Sequence, residues 1–89
     1  MKISDDELLD LTVEVARETF GTAVFRRRPL MLAVEARVKE DGDWTKDDDA
    51  ISTSRGRKSV GLAKIDWAIS HLKERGRLLN VSFDRWRVP

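Results

Sequence analysis

The stretch KIDWAISHLKERGRLLNVSFDRWRVP, residues 64–89, changes its periodicity at Gly76. Before the glycine, apolar residues recur at intervals of three and four positions, which is the spacing of one face of an α-helix. These residues are Ile65, Ile69 and Leu72, and Leu62, just before the stretch, continues the same face. After the glycine, apolar and polar residues alternate, as they do in a half-buried strand. The segment therefore predicts a helix that ends at Gly76, followed by a β-hairpin whose turn lies at residues 82–84.

Both halves of this segment have an apolar side that predicts packing and a polar side that predicts exposure. The residues expected in the core are Ile65, Ile69, Leu72, Val81, Trp86 and Val88. The residues expected on the surface are Lys64, His71, Lys73, Arg85 and Arg87. Trp67 is also assigned to packing, since a tryptophan within an apolar helix is more often buried than exposed. Phe83, at the tip of the hairpin, is the aromatic side chain that is hardest to bury.

The N-terminal segment predicts an amphipathic helix at about residues 5–20. Ser4 is followed three residues later by Glu7, which is the pattern of a capping box. The apolar face consists of Leu9, Val13, Ala16 and Phe20, widened by Leu8, Leu11 and Val15. Gly21 supplies the left-handed conformation with which many helices end.

A second helix is predicted from about Leu30 to Glu40, and Pro29 just before it fits the start of a helix, where proline is well tolerated. Its inward residues are Leu30, Met31, Val34 and Val38. The preceding residues 22–28 (TAVFRRR) predict a short strand or an extended linker. Residues 43–59 lack periodicity, and their acidic half predicts either a loop or a helical turn capped by Thr45 or Asp47, followed by a flexible basic segment.

Length and composition are those of one folded domain spanning residues 1–89. Hydrophobic residues make up 40% of the chain and charged residues 37%, enough for one core beneath a charged surface. The absence of cysteine excludes disulfides and thiolate metal sites. No stretch approaches the roughly 20 apolar residues of a membrane span, and the first residues lack the apolar run of a secretion signal. We therefore expect no membrane partner and a cytoplasmic location.

Charge is unevenly distributed, although the formal net charge is only +1. Residues 1–23 carry two bases and six acids, and residues 24–40 carry five bases and two acids. Residues 41–50 carry one base and five acids, and residues 51–89 carry nine bases and three acids. A local excess of positive charge raises the local concentration of polyanions. The C-terminal segment is thus the expected electropositive surface.

The sequence offers little for catalysis. His71 is the only histidine, tyrosine and cysteine are absent, and no glycine-rich phosphate loop or histidine pair for a metal is present. The acidic run Asp47–Asp49 lacks the alternating ligands and distal glutamate of a calcium loop, so a solvated turn is the preferred interpretation. We therefore expect no enzyme activity, no metal, no cofactor and no small-molecule substrate.

The basic residues predict contact with double-stranded DNA. A basic loop leads into the third helix and a basic hairpin follows it, which suits a helix in the major groove with flanking phosphate contacts. The predicted DNA-binding residues are Arg55, Arg57, Lys58, Ser59, Lys64, His71, Arg85 and Arg87. Ser59, Lys64 and His71 are expected near the groove, and the arginines and Lys58 on phosphates. An ordinary charged surface is the alternative.

The segments IDWAISHLKERGRL and DRWRV resemble the end of the winged-helix domains found at the N-terminus of Mrr-type restriction proteins. The residues that carry the resemblance are Trp67, Ala68, Leu72, Gly76 and Trp86. It is specific over residues 65–88, while the upstream order of elements agrees more generally. The resemblance implies an α+β fold, a winged helix-turn-helix with three helices and a small C-terminal hairpin. It also implies DNA binding as a regulator or as the recognition part of a restriction or defence system, either free-standing or as an excised module.

A protein-protein or dimerisation module without DNA binding is the alternative function. Winged helices also mediate protein contacts, and the acidic first helix could pair with the basic C-terminal half of another copy or of a protein effector. In that case exposed apolar surface, with Phe83 and Leu79 as candidates, is expected to form the contact.

Overall fold

The computed structural model describes residues 1–51 and 58–89. Three α-helices are followed by a two-stranded antiparallel hairpin, and a short 3-10 turn lies between the second and third helices. The elements are α1 (Asp5–Phe20), α2 (Arg27–Glu40), the 3-10 turn (Lys46–Asp49), α3 (Val60–Glu74), β1 (Leu79–Ser82) and β2 (Arg85–Arg87). The predicted α+β class, with three helices and a C-terminal hairpin, is confirmed. Within the described ranges, no helix is long and apolar enough to cross a membrane.

Helix α1 begins with the predicted capping box. The Glu7 amide donates to Ser4 Oγ at 3.1 Å, and the Ser4 amide donates to Glu7 Oε1 at 3.1 Å. These two bonds satisfy amides that have no partner inside the helix. The helix ends where predicted, at Gly21, whose positive φ of 58° is easily adopted by a residue without a Cβ.

Helix α2 begins at Arg27, three residues earlier than predicted. Pro29 is consequently the third helical residue, a position where its missing N–H still costs no helical hydrogen bond. The cause is a cap from the far end of the chain, because the Arg27 amide donates to Asp84 Oδ1 at 3.0 Å. Arg26, the residue at the cap position, contributes no side-chain cap of its own. A local pattern therefore cannot show where this helix begins.

The core lies where the three helices meet and is one contiguous cluster. The predicted inward residues of α2 are buried, and Ile65, Ile69 and Leu72 of α3 are fully inaccessible to solvent. Burying a side chain of this size stabilises the fold by about 1.5–3 kcal/mol relative to leaving it exposed. The helical periodicity thus identified the core faces of all three helices.

The hairpin contributes Trp86 and Val88 to the core, as predicted, but Val81 is half exposed. In the strand register, Asn80 lies opposite Trp86, whereas Ser82 lies opposite Arg85, so Val81 is an extra residue in β1. Such a bulge breaks the alternation of side chains between the two faces. The core position is occupied instead by Leu78, which is fully buried just before the strand.

The chain between α1 and α2 joins the hairpin through one residue. Phe25 and Trp86 exchange two backbone hydrogen bonds, each of 2.8 Å, in an antiparallel bridge. The Phe25 ring also stacks on Phe20 at the end of α1, with ring centroids 4.5 Å apart. The predicted strand or extended linker is therefore an extended linker with a single bridge to β2.

The loop after α2 is docked on the helices. Trp44 packs against the core and its Nε1 donates to Asp49 Oδ1 at 2.9 Å. Of the two alternatives for this loop, the structure has the helical turn, with Thr45 at its cap position. The Thr45 amide and hydroxyl both donate to Asp48 Oδ2, at 2.8 and 2.9 Å. Asp47 and Asp49 are exposed, as expected of a solvated turn.

Asp48 differs from that expectation because its side chain is buried. It also accepts from the N-terminal ammonium group of Met1 at 3.0 Å. Burial alone disfavours the charged carboxylate, but the hydrogen bonds from Thr45 and the ammonium group outweigh it and hold the pKa of Asp48 below its ordinary value.

Candidate nucleic-acid interface

Helix α3 carries several of the predicted DNA-binding residues near its outer face, and Ser59 defines where the helix starts. The Ser59 hydroxyl accepts from the Leu62 amide at 3.1 Å, so this predicted DNA-binding residue is the N-cap of the helix. Lys58, immediately before it, is half-buried, and its Nζ lies 2.7 Å from Asp66 Oδ2. Both residues therefore stabilise the start of α3. A DNA phosphate that contacts Lys58 would do so while the lysine is also paired with Asp66.

A column of three side chains runs along α3. The Lys64 ammonium lies 4.6 Å from the centroid of the Trp67 ring, and the His71 ring stacks on the same tryptophan with centroids 5.1 Å apart. Trp67 is partly buried against the core, so its assignment to packing is confirmed in part. Lys64 also pairs with Asp5 Oδ1 of α1 at 2.7 Å. In this column the Trp67 ring therefore contacts both Lys64 and His71.

His71 is half-buried, and its Nδ1 lies 4.0 Å from Glu74 Oε2. This separation is too long for a hydrogen bond, so the carboxylate does not fix the orientation of the imidazole. Across residues 1–51 and 58–89, no group of three or more histidine or acidic side chains is placed to hold a metal ion.

Arg27 connects α3 to the hairpin, a role that sequence reasoning missed. Its Nε donates to Asp66 Oδ1 at 2.6 Å, and its Nη2 donates to the Asp66 carbonyl at 2.7 Å and to Ser70 Oγ at 2.6 Å. The same guanidinium lies 5.1 Å from the centroid of the buried Trp86 ring. Planar guanidinium groups suit such combined hydrogen bonding and stacking. This one side chain therefore contacts both the helix and the hairpin.

Asp66 is the shared carboxylate of this network. Burial by itself raises its pKa, but the hydrogen bonds from Lys58 and Arg27 outweigh burial and hold the pKa of Asp66 below its ordinary value. Only the tripeptide run RRR in the sequence pointed to Arg27, and nothing local distinguished it from its neighbours. Its role depends on residues of α3 and β2 that are distant in the chain.

The hairpin carries the predicted arginines Arg85 and Arg87. Arg87 is exposed, and Arg85 is half-buried with its Nη1 3.4 Å from the Asp84 carbonyl oxygen. Within residues 1–51 and 58–89, neither arginine forms an ion pair. Arg26 and Arg28, both exposed, lie at the start of α2, and Arg26 Nη1 is 3.7 Å from Asp84 Oδ2. Four arginines thus occupy this region, with Asp84 as the acidic residue among them.

The remaining predicted DNA-binding residues, Arg55 and Arg57, lie outside the described residues. No protein-family model, curated protein or solved structure matches this chain.

Proposed function

We propose that the chain is a winged helix-turn-helix module that binds double-stranded DNA. The order of elements supports this proposal, because α1 is followed by an extended segment bridged to the hairpin, then by α2, α3 and the hairpin itself. In such modules the second helix of the helix-turn-helix pair enters the major groove. Here that helix is α3, and the hairpin is the wing.

The observation that carries the proposal is the network of Arg27. DNA presents grooves and phosphates at fixed spacings, so a helix and a wing that bind it together must keep a fixed spacing too. Arg27 bonds α3 at Asp66 and Ser70 and stacks over Trp86 of β2. Arg27 therefore contacts α3 and β2 at once, and each of these two elements also has a solvent-exposed face that is free to meet DNA.

The division of roles follows from the charges. Arg85 and Arg87, together with Arg26 and Arg28, supply phosphate contacts along the wing and the start of α2, while the exposed face of α3 lies in the major groove. Lys58 and Lys64 reach the DNA only as members of ion pairs with Asp66 and Asp5. A cytoplasmic protein acting as a regulator, or as the recognition part of a restriction or defence system, fits this role.

Fluorescence anisotropy with a labelled random-sequence duplex across a salt series tests the proposal. Each neutralised phosphate contributes about −0.9 to the slope of log affinity against log salt, so about six contacts give a slope near −5. Absence of binding at low salt, or binding that salt does not weaken, would contradict DNA binding. A selection of bound sequences from a random duplex pool would then separate specific from non-specific recognition.

A protein-protein contact is the second candidate, and the exposure of Phe83 favours it. The ring is 96% exposed, whereas Leu79, the other residue expected in such a contact, is half-buried. Sedimentation at increasing protein concentration distinguishes the two functions. A strict monomer that binds DNA would reject the second candidate.

A further inference from the structure

Phe83 is the most exposed large apolar side chain in the described part of the protein, at 96%. It is the first of the two residues, Phe83 and Asp84, that connect β1 to β2. An aromatic ring that remains in water at the tip of a hairpin contributes nothing to the core. Packing within the fold therefore does not explain its position.

Hydrogen bonds of Asp84 and Asn80 hold the turn that carries this ring. Asp84 has a positive φ of 49°, and its carboxylate accepts the first amide of α2. The side-chain amide of Asn80 donates to the Ser82 carbonyl at 2.8 Å and to the Arg85 carbonyl at 3.1 Å. The hairpin tip is consequently fixed to the helices, and Phe83 projects from a pre-organised turn.

The surroundings of Phe83 favour a polyanion over an apolar protein surface. Arg85 follows the turn directly, Arg87 lies two residues further on, and Arg26 reaches Asp84 beside it. Protein interfaces are also enriched in aromatic residues and arginine, but they are usually centred on a contiguous apolar patch, whereas Asp84 and Arg85, which follow Phe83, are charged. A single aromatic ring among arginines instead suits a partner that combines phosphates with flat apolar faces, and stacked bases have both.

We propose that Phe83 is a wedge that enters a base step of duplex DNA and partly unstacks it, while the neighbouring arginines hold the flanking phosphates. This inference rests on the proposed function, since it requires that the hairpin lies against DNA. Apolar side chains inserted between base steps from the minor groove bend the duplex. The ring is already fully exposed, so insertion needs no rearrangement of the protein. The duplex bears the cost of unstacking.

The test compares wild type with Phe83→Ala, Phe83→Leu and the matched control Leu32→Ala, which removes an exposed apolar side chain from α2. Binding is measured by anisotropy, and bending by energy transfer between dyes on the two ends of a short duplex. We expect Phe83→Ala to weaken binding about tenfold, as for the loss of an aromatic–base stack, without changing the salt slope. Phe83→Leu should retain part of the affinity and part of the bend, and Leu32→Ala should match wild type.

A second duplex with one central mismatch sharpens the test, because a base that is already poorly stacked lowers the cost of insertion. Wild type should bind this duplex more tightly than the matched one, and Phe83→Ala should lose that preference. If wild type binds and Phe83→Ala binds and bends DNA equally well, the wedge is wrong and DNA binding stands. If wild type binds no DNA at low salt, both proposals fall. If wild type self-associates without DNA and Phe83→Ala does not, Phe83 serves a protein contact and the wedge is again wrong.

Discussion

The carboxylate of Asp84, in the turn of the hairpin, accepts the backbone N–H of Arg27 at the start of α2, with 3.0 Å between Oδ1 and N. Helix caps usually come from the residue just before the helix. Here the cap comes from 57 positions away. The hairpin and α2 therefore stabilise each other, and a change in the turn should be felt in the helix.

Substitutions of Asp84 separate the cap from the backbone conformation. Asp84→Asn retains an acceptor and tolerates the positive φ, so its free energy of unfolding should stay close to that of wild type. Asp84→Gly keeps the conformation but removes the cap and should lose about 1 kcal/mol. Asp84→Ala loses the cap and adds a strained left-handed residue, which costs about 1–2 kcal/mol more. Urea unfolding measures all three, and equal stabilities for Gly and Asn would contradict the cap.

Stability should fall in acid because three carboxylates, those of Glu7, Asp48 and Asp66, have lowered pKa values in the folded protein, and Asp48 and Asp66 are the two shielded from solvent. The pKa of Asp48 and that of Asp66 lie below their ordinary values, so the unfolded chain binds more protons than the folded one as pH falls. Their contribution is complete above the unfolded pKa of about 4 and is lost as the pH drops through the folded values.

Unfolding free energies between about pH 2 and 7 check this dependence. Asp66→Asn and Asp48→Asn should be less stable than wild type at neutral pH and should lose less stability on acidification. Glu40→Gln is the control, since Glu40 is exposed at the end of α2 and forms no ion pair in residues 1–51 and 58–89. If the unfolding free energy of wild type does not change with pH below about pH 4, the lowered pKa values of Asp48 and Asp66 are wrong.

Gly61 on α3 is required by packing. A Cβ at this position would overlap the six-membered ring of Trp44. Helix propensity alone predicts that Gly61→Ala gains up to about 1 kcal/mol. Overpacking typically costs about 1–3 kcal/mol, so we expect net destabilisation. In a Trp44→Ala background the same substitution should become neutral or stabilising. Ala63→Gly measures the effect of helix propensity alone in the same helix. A Gly61→Ala variant as stable as wild type would contradict the prediction, because it would show that the Trp44 ring moves away at little cost.

DNA binding should depend on the wing arginines through charge. Arg87→Ala and Arg85→Ala should each reduce the magnitude of the salt slope by about 1 if each arginine contacts one phosphate. Arg17→Ala, which removes an exposed arginine from α1, should leave slope and affinity unchanged. If all three variants lose the same affinity, the loss reflects the net charge of the protein and not contacts of Arg85 and Arg87 with phosphates. The same anisotropy series supplies the measurement.

Local patterns in the sequence were sufficient for α1 and for the core face of α3, whereas for the turn at Thr45 they left two alternatives open. In each case the signal and the structure depend on residues within a few positions of one another. The start of α2 was missed because its cap, Asp84, is distant in the chain. Val81 was assigned to the core because alternation assumes a regular strand, and a bulge opposite the Trp86 and Arg85 positions ends that regularity.

The candidate site was harder to predict for the same reason. Its basic residues are visible in the sequence, but which of them are already paired is a property of the folded chain. Lys58 pairs with Asp66 and Lys64 with Asp5, whereas Arg87 has no acidic partner in residues 1–51 and 58–89. Arg27 gave no signal apart from its two arginine neighbours. Electrostatic roles of this kind follow tertiary contacts, which one-dimensional patterns do not contain.

The bridge between Phe25 and Trp86 has a consequence for the order in which the protein assembles. A two-stranded hairpin alone is only marginally stable in water, and this one is completed by hydrogen bonds to a residue in the first third of the chain. Contacts between distant positions form late because the closure of a long loop must precede them. The hairpin should thus acquire its shape after the helices have met, and the Phe25 and Trp86 amides should exchange with solvent together.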